Sequence, residues 1–336
     1  MYYVVNFVII LTGNNYDSEV SISRKELFMT SMEFIEQYLI TPNIKLYPRL
    51  KEIMSNFYIG QYRELVAVLG RRSGKDYLAT LLLLAETRRL LEIPNPFEYY
   101  NIPNQDTIYQ LAVCNSAEEA RSFFTELKLL VTRSEYFRDE ITKIEQNKIW
   151  LPRRNRSGYI CLMVAHANSS NLLGKRYFTL VFNEIASFPG QSGDRIYNAL
   201  IPSTADFKHD GVHESRTIIV SSPRRKGDLL YNLISTAPDY RLICQLPTWE
   251  VNTDYTEEML RQENQHMSDG DFGCEFGSKF QNVVENITIS IRILSDQLEQ
   301  LKRVARKQAY ENDCEISYVD IIRTAISDYL KGVVAD

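Results

Sequence analysis

Between residues 64 and 69 the chain reads Glu-Leu-Val-Ala-Val-Leu, a short β-prone run that stops at Gly70. A glycine-punctuated turn follows, and then a strongly helical stretch from Tyr77 to Leu91. The next apolar run, Ile108 to Cys114, predicts a second strand. It gives way at Ser116 to a helix in which Glu119, three residues on, stands as a capping-box partner. Apolar runs at Tyr159 to Val164, Phe178 to Phe182, Thr217 to Val220 and Leu242 to Gln245 predict further strands. Several are almost continuously apolar, as expected of strands covered on both faces. Strands alternating with helices imply parallel pairing through right-handed crossovers, so the main body is expected to be α/β with helices flanking a mainly parallel sheet.

The pattern differs at the two ends. Tyr2 to Leu11 is an apolar run broken by Asn6, about half the length a bilayer requires and with no basic residue before it, so it reads as a buried strand of an N-terminal leader and not as a membrane anchor or secretion signal. After about residue 283 the character changes. Residues 287–293, Ile-Thr-Ile-Ser-Ile-Arg-Ile, alternate strictly between apolar and polar. Ser295 then caps a helix with Leu298, Leu301, Val304 and Ala305 on one face, and Ser317 caps a second with Val319, Ile322, Ala325, Ile326 and Tyr329. The expected organisation is a leader at 1–44, a main domain at 45–283 and a small strand-helix-helix module at 284–336.

Composition narrows the class. A chain of 336 residues that is 44% hydrophobic and 24% charged is ordinary for a globular protein. Its five cysteines are scattered singly, which suits a reducing cytosol and argues against a disulfide framework or a zinc site. The net charge of −5 does not mark a nucleic-acid binder. Local charge matters more, and basic clusters occur at Arg71-Arg72, at Arg153, Arg154 and Arg156, at Arg224 to Lys226 and at Lys302 to Lys307.

The chemistry concentrates at Gly70, Arg71, Arg72, Ser73, Gly74, Lys75 and Asp76. This loop follows a strand and opens a helix, which is the context of a P-loop or Walker A motif. Its glycines let backbone N–H groups curl around phosphate oxygens, and the helix N-terminus adds a favourable dipole. Lys75 would reach the β- and γ-phosphates of ATP. Leu69 stands where the first glycine is usual, and Asp76 where a hydroxyl that binds Mg2+ is usual. Residues 178–184, Phe-Thr-Leu-Val-Phe-Asn-Glu, have the form of a Walker B strand. Glu184 would polarise the attacking water, and Asn183 would border the metal. These residues by themselves reach a magnesium-dependent NTPase.

The loop GRRSGKD, the segments Asn168 to Gly174 and Glu184 to Ala186, and then Ile201 to Ser203, Val220 to Arg224, Thr248 to Asn252 and Cys274 to Gly277 together resemble phage or prophage terminase large subunits. They occur in that family's order over roughly residues 45–283. The resemblance implies a P-loop ATPase of the ASCE class that drives duplex DNA into a viral capsid. It implies Arg71 as the arginine that contacts the γ-phosphate in cis, and Ser221 and Ser222 as the motif coupling hydrolysis to movement. It further implies a homo-oligomer working at a capsid portal in the host bacterial cytoplasm, with a terminase small subunit.

Several positions depart from the family. Leu50 stands where an adenine-reading glutamine is usual, leaving apolar stacking on the base as the expectation. Asn183 lacks the charge a hard cation prefers, and Asp76 would supply the carboxylate lost there. No carboxylate constellation suits a two-metal nuclease, so cleavage is expected of a separate nuclease subunit, if of any. The tail resembles a ribbon-helix-helix module, with Thr288, Ser290 and Arg292 on one strand face as candidate DNA contacts. From residue 286 onward, however, seven basic and eight acidic residues give a net of −1, so dimerisation or docking is the competing role. The rival to a motor is a nucleotide-binding relative with little turnover that acts through this module.

Overall fold

The central sheet has eight strands, and its order places the strand leading into the glycine loop next but one to the strand that ends in Asn183. The computed structural model describes residues 31–40, 46–103, 107–152, 158–169, 172–189, 192–282 and 295–312, with two short strands nearer the N-terminus and isolated positions at 319, 322 and 324. The strands in chain order are β1 (Phe7–Ile9), β2 (Val20–Ile22), β3 (Glu64–Leu69), β4 (Thr107–Cys114), β5 (Lys143–Ile144), β6 (Lys148–Pro152), β7 (Tyr159–His166), β8 (Arg176–Asn183), β9 (Lys208–His209), β10 (Val212–His213), β11 (Arg216–Ser221) and β12 (Arg241–Leu246). The large sheet runs β12-β3-β11-β8-β4-β7-β6-β5. From β12 to β7 every pairing is parallel; β7 with β6 and β6 with β5 are antiparallel. Strand β11 inserted between β3 and β8 is the arrangement of the ASCE class. β1 pairs with β2 and β9 with β10 in separate two-stranded ribbons.

Alternation along β3 explains the two-layer core. Leu65, Ala67 and Leu69 belong to one buried cluster, whereas Val66 and Val68 belong to the other. Both faces must therefore be covered. Helix α1 (Pro48–Ile59) and helix α2 (Lys75–Glu92) pack on the first face, and α2 buries residues nearly all round, from Leu78 through Leu84 to Leu90. The amphipathic α3 (Ala117–Arg133) joins them through Phe123, Leu127 and Leu130. Helices α4 (Ser192–Leu200) and α5 (Leu229–Ser235) cover the opposite face through Ile196, Leu200, Leu230 and Leu233. Beyond β12, a single turn at Thr248–Val251 leads to α6 (Glu257–Glu263) and α7 (Asp269–Glu275), which build a satellite core around Leu260, Phe272 and Phe276.

Two ion networks lie within this body. At the entry to β3 and β12, Arg241 Nε donates to Glu64 at 2.8 Å, both side chains being 4% exposed. Tyr197 also donates to Glu64, and Arg241 donates to Leu233 O and Thr236. Deeper, Arg89 forks onto Glu86 at 2.9 and 2.7 Å and also donates to Glu214 O, tying α2 to the segment before β11, while Tyr100 donates to the Glu214 carboxylate at 2.7 Å. Removing one member of a buried pair strands the other charge in a medium that solvates it poorly. Arg241→Met is thus expected to cost about 3–5 kcal/mol in urea unfolding, most of it recovered when Glu64→Gln is added. Equal losses in the single and double variants would refute this account.

The chain divides into two compact units, Met1–Val283 and Val284–Asp336. Of the second, the structure describes α8 (Ser295–Asn312), on which Lys302 pairs with Glu299 at 3.1 Å. The alternating run 287–293, with Thr288, Ser290 and Arg292, and the helix cap at Ser317 lie outside the described residues.

Candidate functional site

In a parallel sheet the loops after the strands share one edge, and a ligand that needs several loops binds there. Register brings Leu69, Ser221, Asn183 and Cys114 to that edge. Val68 pairs with Ser221, Val220 with Asn183, and Cys114 with Asn183. The four chain segments that leave it are the glycine loop, the Ser221-Ser222 segment, the turn at Glu184 and the start of α3.

The loop is shaped by what surrounds it. Gly74 caps α2 at φ 83°, in the left-handed region, and Arg72 also has a positive φ of 64°. The carbonyl of Arg71 accepts from Thr248 Oγ1 at 2.7 Å, and that of Arg72 from Asn252 Nδ2 at 2.7 Å. The Arg71 N–H donates to Glu275 O at 2.6 Å. Segments 248–252 and 274–277 therefore hold the loop from behind. Both carbonyls, acceptors that a phosphate would repel, are thus engaged by donors behind the loop.

Lys75 is only 7% exposed, and its Nζ lies 2.9 Å from Glu184 Oε1. Glu184, at a left-handed φ of 60°, directly follows β8 and accepts at Oε2 from Ser222 N at 3.0 Å and Ser221 Oγ at 3.3 Å. Ser222 Oγ donates to Leu69 O at 3.1 Å, so β11 stitches the strand that precedes the loop to the turn that carries Glu184. Arg71 is more than half exposed and pairs with Glu275 at 3.3 Å. Glu275 also takes Arg224 at 2.5 Å, and Arg224 Nε donates to Ser187 just beyond Glu184. One carboxylate thereby touches the glycine loop and the segment after the paired serines. Arg72 points the other way, to Glu263 at 2.8 Å and over the Tyr255 ring.

These groups open onto a cavity of about 490 Å³ lined by Lys75, Asp76, Asn183 and Glu184 on one side and by Glu119, Ser122, Phe123 and Glu126 of α3 on another. Asp76 is reached by solvent through the cavity, yet its carboxyl is hemmed in. This desolvation raises its pKa, Glu184 pushes the same way, and Lys75 and a hydrogen bond with Asn183 oppose. Desolvation, helped by Asp76, lifts Glu126 to about 7.

The chain matches, over residues 27–271, the family described as "Uncharacterized protein MJ0330, N-terminal P-loop domain". It belongs to that P-loop family. Among solved structures, the large terminase ATPase domain of Thermus phage P74-26 superposes with a TM-score of 0.53 at 16% identity, covering 74% of this chain and 98% of that one. The large terminase of bacteriophage HK97 gives 0.57 at 15% identity, covering 82% of this chain and 58% of that one. At such identities the likeness is one of fold: this P-loop domain has the fold of phage large-terminase ATPase domains. No curated protein sequence matches the chain.

Of the residues read from the sequence, Gly70 to Asp76, Asn183, Glu184, Ser221 and Ser222 meet at one edge of the P-loop domain. Leu50 does not serve as read. It is 1% exposed and packs beneath the loop, its Cδ1 3.2 Å from where a Cβ on Gly74 would stand, so it offers no face to a base. Thr248, Asn252, Glu275 and Glu126 had no assigned role, and Glu119 had one only as a helix cap. The first three lie in segments noted only for a family resemblance. The last two could have been found from helical spacing, since Glu119, Ser122, Phe123 and Glu126 form one face of a helix that starts at the sheet edge. Glu119 keeps half of its capping role: its N–H takes Ser116 Oγ at 3.2 Å, while its carboxyl accepts from Asn115.

Glu126 sets a pH test. Its folded pKa of about 7 exceeds the ordinary glutamate value, so the cost of ionising it in the fold appears as pH rises from about 4.5 through 7. Glu126→Gln is expected to gain stability relative to the parent as pH goes from 4.5 to 8, with no difference at the acid end. Parallel thermal-melting profiles across that range would contradict the assignment.

Proposed function

We propose that this chain is an ATP-hydrolysing, terminase-type packaging motor that drives duplex DNA into a viral capsid. The observation that carries the reading is the meeting of Lys75 and Glu184 at 2.9 Å, with the Ser222 N–H on the second oxygen of Glu184. A phosphate-binding lysine, a carboxylate that can take a proton from water and a hydroxyl-rich segment joined to both are the parts phosphoryl transfer to water needs. Lys75 binds the β- and γ-phosphates, Arg71 swings from Glu275 to neutralise charge on the γ-phosphate, and Glu184 orients and deprotonates the attacking water. Ser221 and Ser222, bonded to Glu184 and Leu69, transmit the change to the rest of the domain.

Asp76 and Asn183 would hold the magnesium ion. The residues fit it: Asn183 lines the cavity, is 4% exposed, and its Oδ1, a hard oxygen, has no hydrogen-bond partner among the described residues. Bound there, the ion supplies charge neutralisation to the phosphates. No three His, Cys, Asp or Glu side chains among the described residues could hold a metal by themselves. That suits magnesium, which keeps waters and shares phosphate oxygens.

The partners of this reading are DNA, further copies of the chain, a capsid portal and a terminase small subunit in the cytoplasm of an infected bacterium, with DNA cleavage left to another subunit. No helix among the described residues is long and apolar enough to cross a membrane. A second reading, nucleotide binding with little turnover, is favoured by the uncharged Asn183. Steady-state ATP hydrolysis with magnesium, with and without duplex DNA, decides between them. The motor reading expects turnover that Lys75→Ala and Glu184→Gln both abolish. ATP binding without turnover above those variants, even with DNA, would leave the second reading in possession.

A further inference from the structure

The strand β8 ends in an amide where a magnesium-binding carboxylate is expected, and the nearest replacements are not on β8. Cys114, the last residue of the adjacent β4, pairs with Asn183. The chain turns at once into α3, whose first turn carries Glu119. Glu119 lines the same cavity as Asp76, Asn183 and Glu184. Asn115 holds its carboxyl from the side and backbone, and its Oε2 is buried with no hydrogen-bond partner among the described residues. The amide oxygen of Asn183, a residue that also lines that cavity and is more than nine-tenths buried, likewise has no hydrogen-bond partner among the described residues. A carboxylate oxygen and an amide oxygen that no donor among the described residues satisfies, beside a second carboxylate at Asp76, call for a hydrogen-bond donor or a cation at this place. The Lys75 ammonium, though its charge acts on Asp76, makes its ion pair with Glu184.

The geometry points to Glu119 as the residue that replaces the missing negative charge at Asn183, acting on a nucleotide-bound divalent cation through the cation's water shell, with Asp76 and Asn183 as the direct ligands. The inference rests on the nucleotide reading above and deepens it, since it names which residue makes an amide tolerable in that position. A water-mediated role agrees with the lack, among the described residues, of any three His, Cys, Asp or Glu side chains placed to hold an ion directly. Glu119 is thus a positioning residue for the cation, reached from the neighbouring strand and not from the one that carries Glu184. Glu126, two helical turns along the same face, lines the same cavity.

The test uses the full chain with Mn2+ as the probe, titrated in the presence of ADP and followed by electron paramagnetic resonance. In parallel, ADP affinity is measured in EDTA. Glu119→Gln is expected to weaken Mn2+ binding about 10- to 100-fold, the range seen when an outer-shell partner of a metal is removed. Metal-free ADP affinity should stay within a few-fold, because the loop is untouched. Adding Asn183→Asp to Glu119→Gln should restore most of the Mn2+ affinity, by returning the charge to the strand; a merely structural role for Glu119 would not respond to that change. Unchanged Mn2+ affinity in Glu119→Gln, or no recovery in the double variant, would overturn the inference while leaving the nucleotide reading intact. A parent chain that binds no ADP under any condition would overturn both.

Discussion

Glu184→Gln should lower ATP turnover by about 10²- to 10⁴-fold, the contribution typical of a positioned general base, while nucleotide binding is retained or tightened. The two halves of this expectation come from the two oxygens of the side chain. Oε2 sits under the Ser222 N–H at 3.0 Å, and the oxygen of a glutamine amide can keep that bond, so the turn after β8 should hold its shape. Oε1 lies 2.9 Å from Lys75 Nζ. In the nucleotide-free chain that ion pair competes with phosphate for the ammonium. Neutralising Glu184 removes the competitor along with the base, so affinity and rate should move in opposite directions. Equilibrium binding of a fluorescent ADP analogue and single-turnover hydrolysis would separate the two. Loss of affinity together with rate would mean that Glu184 shapes the pocket and does not activate water.

The sequence made the backbone of this site legible because each part is a local signal. The run Glu64 to Leu69 matches its strand end for end, and the helix read from Tyr77 to Leu91 runs from Lys75 to Glu92. Buried parallel strands are apolar on both faces, so they stand out as unbroken runs, and the glycine loop between β3 and α2 is a contiguous motif. The order of strands was not visible in the same way. That β11 lies between β3 and β8, and so carries Ser221 and Ser222 between Lys75 and Glu184, is a product of crossovers that no single segment encodes. The antiparallel edge strands β5 and β6 went unread because Lys143–Ile144 and Lys148–Pro152 are short and half exposed. The grip of Thr248 and Asn252 on the loop spans about 180 residues of sequence, as Asn252 to Arg72 shows, and depends on side chains meeting carbonyls. Leu50 illustrates the opposite error. A position in a motif was read as facing the ligand, whereas burial of α1 against α2 turns it inward.

Gly70→Ala is expected to be the most damaging single-methyl change in the domain, and its cause is backbone, not conformation. A Cβ there would stand 2.3 Å from Thr248 Oγ1, 2.4 Å from Phe276 O and 2.9 Å from Thr248 N. Two of these atoms are main chain, and they are bonded to each other, since Thr248 N donates to Phe276 O at 2.8 Å. Relief therefore requires moving segments 248–252 and 274–277 away from the loop. The same movement stretches the bonds from Thr248 to Arg71 O and from Asn252 to Arg72 O, and loosens the Arg71 N–H from Glu275 O. Overpacking of this kind costs about 1–3 kcal/mol of stability. The displaced loop should also lose at least tenfold in ADP affinity, about 1.4 kcal/mol. Gly74 provides the contrast. Its φ of 83° disfavours a side chain, but its nearest neighbour is the flexible end of Leu50 at 3.2 Å. Asparagine tolerates that left-handed conformation better than most residues, so Gly74→Asn should be milder than Gly70→Ala in both urea unfolding and ADP binding. The reverse ranking would mean that the loop is held by its own conformation and that the contacts from behind it are incidental.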